Sequence, residues 1–99
     1  MPKYFCVEGW DENGKYIGEE CYPREFKAII LEFLDSVKIY VEGKDEIGDY
    51  WTRYTVDKRK WWKAFEGMMW KYSGIDVEIV AMLGHFAWIF RDAKIIDIG

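Results

Sequence analysis

The chain is poor in the residues that most chemistry needs. Its 99 residues include one histidine, His85, and two cysteines, Cys6 and Cys21. A metal centre draws three or four N, S or O ligands from such side chains, and no spacing in the chain supplies them. No glycine-rich phosphate loop, nucleophile elbow or Ser/His/Asp set can be assembled. The eighteen Asp and Glu residues scatter over hairpin edges and one helix face, as solvated carboxylates do, and nothing selects a general acid–base pair. No catalytic residue, cofactor site or metal site is expected, and His85 reads as an exposed turn residue. Long apolar runs are missing as well. The longest, 75–90, carries Asp76, Glu78 and His85, too short and too charged for a membrane span. Met1-Pro2-Lys3-Tyr4 runs straight into a strand-like pattern with no signal peptide. The expectation is a soluble intracellular protein, or a component of a particle assembled inside a cell, with no membrane partner. A net charge of −4 disfavours general coating of nucleic acid, which normally takes a basic domain.

Aromatic rings, by contrast, are abundant. Six Trp, seven Tyr and six Phe make up 19% of the chain, more than a core of this size hides easily. Some must reach the surface, where aromatics mark interfaces. The length corresponds to one domain, 1–99.

Residues 3–10 and 15–22 alternate as strands around Asp11-Glu12-Asn13-Gly14, and Asn-Gly is the strongest short hairpin signal. A two-residue turn there pairs Glu12 with Lys15, Trp10 with Ile17, Glu8 with Glu19 and Cys6 with Cys21. That register brings the two cysteines within the separation a disulfide accepts. It leaves open whether they are bridged or remain reduced and pack as small apolar groups, since the redox compartment decides.

Pro23 opens a helix at a position where its missing N–H costs nothing. Phe26, Ile29, Ile30, Phe33, Leu34 and Val37 form its apolar stripe. Residues 38–42 and 50–56 read as a second hairpin with a charged loop over 43–49. Asp57 can cap a second helix that runs to Tyr72 or Ser73 and stops at a left-handed Gly74. Residues 75–83 and 86–91 read as a third hairpin about Gly84-His85, with Glu78 facing Arg91, and the apolar tail 94–99 should dock or pair. The expected fold is α+β: an antiparallel sheet built from three hairpins in the order ββαββαββ, with two amphipathic helices packed on it.

One segment resists an account as plain surface. Lys58, Arg59 and Lys60 occupy the first turn of the second helix, where the macrodipole prefers anions. Segment 57–73 carries five positive and two negative charges, so a chain of net −4 holds −7 elsewhere. At 100° per residue Trp61, Phe65, Met68 and Tyr72 face the core, while Arg59, Lys63, Glu66 and Trp70 line the opposite side. Two readings stand. In the first, Arg59, Lys63 and Trp70, with Trp62 or Trp51 nearby, form a recognition surface. In the second, Lys58, Arg59 and Lys60 are neutralised by Asp45, Glu46 and Asp49 and the Trp70 ring lies beneath a neighbouring loop or the C-terminal tail.

Taken whole, the chain resembles small proteins of filamentous double-stranded DNA viruses of hyperthermophilic archaea, the lipothrixvirus and rudivirus groups. The likeness rests on its size, on the aromatic hairpin segments Lys3-Tyr4-Phe5-Cys6-Val7-Glu8-Gly9-Trp10 and His85-Phe86-Ala87-Trp88-Ile89-Phe90, and on the Trp61-Trp62 helix. The resemblance implies an α+β fold, a thermostable protein and a role in virus–host or virus–virus interaction, and it favours a disulfide. The function expected is a non-catalytic protein–protein interaction or assembly role, with a viral or host protein or a second copy in a homodimer as partner. The alternative is nucleic-acid binding through the basic helix with Trp70 as a stacking platform.

Overall fold

Two of the three expected hairpins are formed, and a strand at residues 95–98 joins them. A computed structural model describes residues 3–46 and 49–99, with side chains described outside 44–49. Strands β1 (Tyr4–Trp10) and β2 (Tyr16–Pro23) pair antiparallel, with Cys6 opposite Cys21 and Glu8 opposite Glu19 as the register predicts. Beyond Gly9 a bulge shifts the pairing, so Trp10 faces Tyr16 rather than Ile17. The turn is the reason. Gly14 donates its N–H to the Asp11 carbonyl (3.0 Å) and takes φ +79°. Asp11 Oδ1 accepts from the amides of Asn13 and Lys15, both at 2.9 Å. A carboxylate that gathers two amides favours a type I turn closed by a left-handed Gly over the expected two-residue turn. Cys6 and Cys21 are joined as a disulfide, their Cα atoms 4.1 Å apart.

A 3-10 turn (Arg24–Phe26) leads into helix α1 (Lys27–Val37), which buries Ile30, Phe33, Leu34 and Val37 from the predicted stripe. Strands β3 (Lys38–Glu46) and β4 (Asp49–Val56) form the second hairpin. Their ladder runs on through residues 43–46, which the spacing assigns to a loop. Residues 47 and 48 of that expected loop lie outside the described residues. Asp57 accepts from the Arg59 amide at 3.0 Å, but what it caps is a 3-10 turn, Lys58–Lys60, so the three cations precede helix α2 (Trp61–Tyr72) rather than form its first turn. The helix stops where predicted, but without a left-handed Gly74: among the described glycines only Gly14 and Gly18 have positive φ.

The expected third hairpin is not formed. Its residues make a third helix, α3 (Val77–Ile89), so the element order is ββαββααβ. The Asp76 carboxylate accepts from the Glu78 amide at 2.8 Å and so starts the helix. Met82, Leu83, Phe86, Ala87 and Phe90 are buried, the i, i+1, i+4, i+5, i+8 spacing of a helical face. Alternation looked strand-like because both sides of this segment are apolar, and such a run satisfies either period. The Glu78–Arg91 pair therefore does not occur. Arg91 instead lies over the Trp88 ring, 3.9 Å from its centroid. His85 sits on α3 rather than at a turn tip, with Nδ1 3.0 Å from the Tyr22 hydroxyl.

The tail does pair. Strand β5 (Ile95–Ile98) runs antiparallel to both β1 and β4 and completes a five-stranded antiparallel sheet in the order β2-β1-β5-β4-β3. Phe5, Val7, Tyr54, Val56, Ile96 and Ile98 point from one face of this sheet into the core with the helices. Trp61 sits in that core, its ring 4.8 Å from Phe33 and 5.9 Å from Phe86 between centroids. Its indole N–H donates to the Ala87 carbonyl at 2.9 Å and so ties α2 to α3.

The other face carries a charged row in register across all five strands: Glu19, Glu8, Asp97, Arg53, Glu42. At its centre Arg53 clasps Asp97 with two hydrogen bonds, Nε–Oδ1 at 2.7 Å and Nη2–Oδ2 at 2.9 Å. Asp97 is 1% exposed. Replacing Arg53 with Met is expected to lower stability by about 3–5 kcal/mol, the cost of removing the guanidinium that clasps a buried carboxylate. Urea denaturation reads this as a lower midpoint, and an unchanged midpoint would contradict it.

Candidate interaction surface

The outward face of α2 is built by its own periodicity. With Trp61 and Met68 turned inward, Lys63, Glu66 and Trp70 follow one another along the solvent side, and all three are exposed. Trp70 is 80% exposed and Trp62 48%. The Trp62 ring is steadied edge-on against Phe65, 5.6 Å away. The expectation that Trp70 faces solvent is met, and the reading that places it beneath a loop is not.

The cations of this segment are largely matched locally. Arg59 grips Asp57 in the adjoining turn, Nε–Oδ1 and Nη2–Oδ2 both at 3.1 Å. That bond holds the Asp57 carboxyl below the usual carboxylate range. Lys58 lies 3.8 Å from Glu12 and 3.7 Å from Asp92. Lys71 reaches Glu32 on α1 at 2.7 Å, and the Tyr72 hydroxyl donates to the same carboxylate at 2.8 Å. Lys60 and Lys63 border a shallow groove with Ser36 and Ala64. The neutralising partners expected at 45, 46 and 49 have side chains outside those described. The partners observed are Asp57, Glu12, Asp92 and Glu32.

Trp51 does not join this surface. It shares a strand face with Arg53 and lines a hollow with Cys6, Arg24 and Gly99, on the side of the sheet away from the helices. Alternation along β4 separates it from α2.

Two residues that sequence reasoning passed over stand where α2 turns into α3. Ile75 is 75% exposed and Val77 83%. Assigned to a strand, they counted as sheet residues. The signal that could have found them is the Asp76 cap, which places one apolar residue on each side of a helix start. Trp70, five residues before Ile75 on the last turns of α2, is likewise bare. Among the described residues no helix is long and apolar enough to cross a membrane. No family of known proteins, no curated protein and no solved structure matches the chain.

The Glu32 contacts tie α1 to the end of α2, and the Lys71 bond first, then Tyr72, holds the Glu32 carboxyl below its usual range. A lowered carboxyl contributes stability above its unfolded pKa and loses it as pH falls through the folded value. Replacing Glu32 with Gln is expected to cost about 0.5–1 kcal/mol at pH 7, the scale of an exposed ion pair. The gap between variant and parent should close as the pH falls below about 4.5, the ordinary value for Glu. Thermal melts at pH 7 and pH 3 test this, and a gap that persists at pH 3 would contradict it.

Proposed function

We propose that the protein is a non-catalytic protein–protein interaction or assembly module that docks its partner on the α2–α3 corner. The reading includes the viral role and thermostability that the sequence resemblance implies, and self-association as a homodimer is its simplest form. One observation carries it: Trp70, Ile75 and Val77, within eight residues of one another along the end of α2 and the start of α3, are 75–83% exposed, above the other exposed large apolar residues such as Tyr50, Tyr4 and Trp88. Bare aromatic and aliphatic groups rimmed by Lys63, Glu66 and Lys71 have the composition of an interface centre with a polar rim. The contact set is Trp70, Ile75 and Val77, with Lys63 and Trp62 at the rim. Arg59, already held by Asp57, contributes less than its position along the helix suggests.

The nucleic-acid reading keeps one specific support, the adjacency of Lys60 and Lys63 to a surface Trp. Lys58, Arg59 and Lys71 meet carboxylates of the same chain, which lowers the charge available to phosphate. Two cations predict a log–log salt slope of only about 1.4 on single strands.

Sedimentation velocity over a concentration series separates these readings. The parent chain is expected to self-associate, and Trp70→Ser combined with Val77→Ser to be monomeric with stability within about 0.5 kcal/mol of the parent, as for exposed positions. A parent that stays monomeric would overturn the homodimer. Salt-sensitive quenching of Trp fluorescence by single-stranded DNA, lost in Trp70→Ser, would favour nucleic acid instead.

A further inference from the structure

The two cysteines belong to a donor set that chain spacing alone does not reveal. Cys6 and Glu8 are two apart on β1, and Cys21 and Glu19 two apart on β2. Cys6 faces Cys21 and Glu8 faces Glu19. Residues two apart on a strand share a face, so all four side chains stand together on the side of the sheet away from the helices. The sulfurs of Cys6 and Cys21 and a carboxylate oxygen of Glu19 lie within 4.8 Å of one another. Cys21 and Glu19 are exposed and Cys6 is half-buried, so solvent and reductant reach the crosslink. Beside them the Glu8 carboxylate faces Glu19 across the strand pair. Like charges held side by side are an arrangement that a cation relieves.

We propose that reduction of the Cys6–Cys21 crosslink converts this corner of the sheet into a zinc site with Cys6, Cys21 and Glu19 as ligands. A dithiol supplies two electrons and two protons, leaving two protein thiols and the disulfide of the reductant. Zinc then displaces the two thiol protons to solvent and is held by two thiolates and one carboxylate, with water in the fourth tetrahedral position. At a Zn–S distance of about 2.3 Å the two sulfurs of a tetrahedral site stand roughly 3.8 Å apart. Side chains rooted on Cα atoms 4.1 Å apart reach that spacing by rotating away from each other. Thiolate donors select zinc over calcium or magnesium, which prefer oxygen. In the oxidised chain both sulfurs are committed to each other and the site is closed. Reduction therefore gates the metal, and the metal in turn opposes reoxidation by occupying both thiolates.

The test is a titration of the full chain with Zn²⁺ against a chromogenic chelator, once oxidised and once reduced and freed of reductant. Far-UV circular dichroism follows the fold in parallel, and Co²⁺ serves as a spectroscopic substitute. The reduced chain is expected to bind one zinc and to show thiolate-to-cobalt absorption, and the oxidised chain to bind none. Glu19→Gln, an exposed substitution that leaves the fold intact, should weaken zinc by at least about tenfold, the lower end of what loss of an outer-shell partner does. Cys21→Ser should remove the cobalt absorption. Equal binding by the oxidised and reduced chains would overturn the proposal, as would an unchanged affinity in Glu19→Gln. A reduced chain that unfolds and is not refolded by zinc would overturn it too.

Discussion

The sheet exists as one object because of four residues. Ile95–Ile98 lies between β1 and β4 and hydrogen-bonds to both, and neither hairpin pairs with the other except through it. An isolated two-stranded hairpin is marginal in water, so each hairpin depends on this strand to become part of a sheet with a buried face. The same strand supplies Ile96 and Ile98 to the core beneath the helices and Asp97 to the opposite face. Its position also makes the folding problem non-local. The central strand follows the other four in sequence, and its partners begin at residues 7 and 52. Loop closure over such separations must precede the gain from pairing, which favours cooperative formation of sheet and helix layer together.

From that strand outward the two faces part company. The inner face buries Phe5, Val7, Tyr22, Tyr54, Val56, Ile96 and Ile98. The outer face is a charged row whose one buried member, Asp97, is held by Arg53 with both carboxylate oxygens. A bidentate guanidinium bond to a neighbouring strand carries geometric information as well as charge. A one-residue slip of β5 would send Asp97 into the core and Ile96 out to the charged row. The pair thus specifies register at the point where the two hairpins are welded. The disulfide does the same for the β1–β2 ladder on the far side of the bulge at Gly9 from the turn.

Much of this was legible in the residues, and the failures have a common cause. The Cys6–Cys21 register, the α1 stripe and the Asp57 cap all followed from local rules, because each has one face wet and one dry. The segment 75–91 did not. With Ile79, Val80, Ile89 and Phe90 available to both sides, helix and strand periods fit equally well. Gly84 and His85 resembled a turn where they lie within a helix. The α2 side of the surface was visible because Trp70 breaks an otherwise charged face. Its α3 side was hidden behind the misassigned strand. Trp51 was grouped with α2 for its chemistry, since nothing local tells which face of β4 it occupies until β5 fixes the inside of the sheet. The Cys6, Glu8, Glu19 and Cys21 square was already implied by the hairpin register, but ligand spacing judged along one strand at a time did not show it.

The pattern of internal ion pairs bears on what kind of partner the helix layer selects. The 3-10 turn Lys58–Lys60 sets three cations at the positive end of α2, against its dipole, and the chain offsets this with Asp57 at the cap of the turn and with Glu12 and Asp92 near Lys58. Lys71, at the far end where the dipole favours it, is used to hold α1 through Glu32. Most of the positive charge is therefore engaged in assembling the domain. What α2 presents outward is chiefly the Trp70 ring and the ends of two lysines, continued by Ile75 and Val77. Exposed ion pairs contribute little to affinity and are screened by salt, whereas a buried Trp is among the strongest anchors an interface can have. Recognition at this corner should accordingly be governed by how well a partner covers the Trp70 ring, with charge setting orientation and rate rather than affinity.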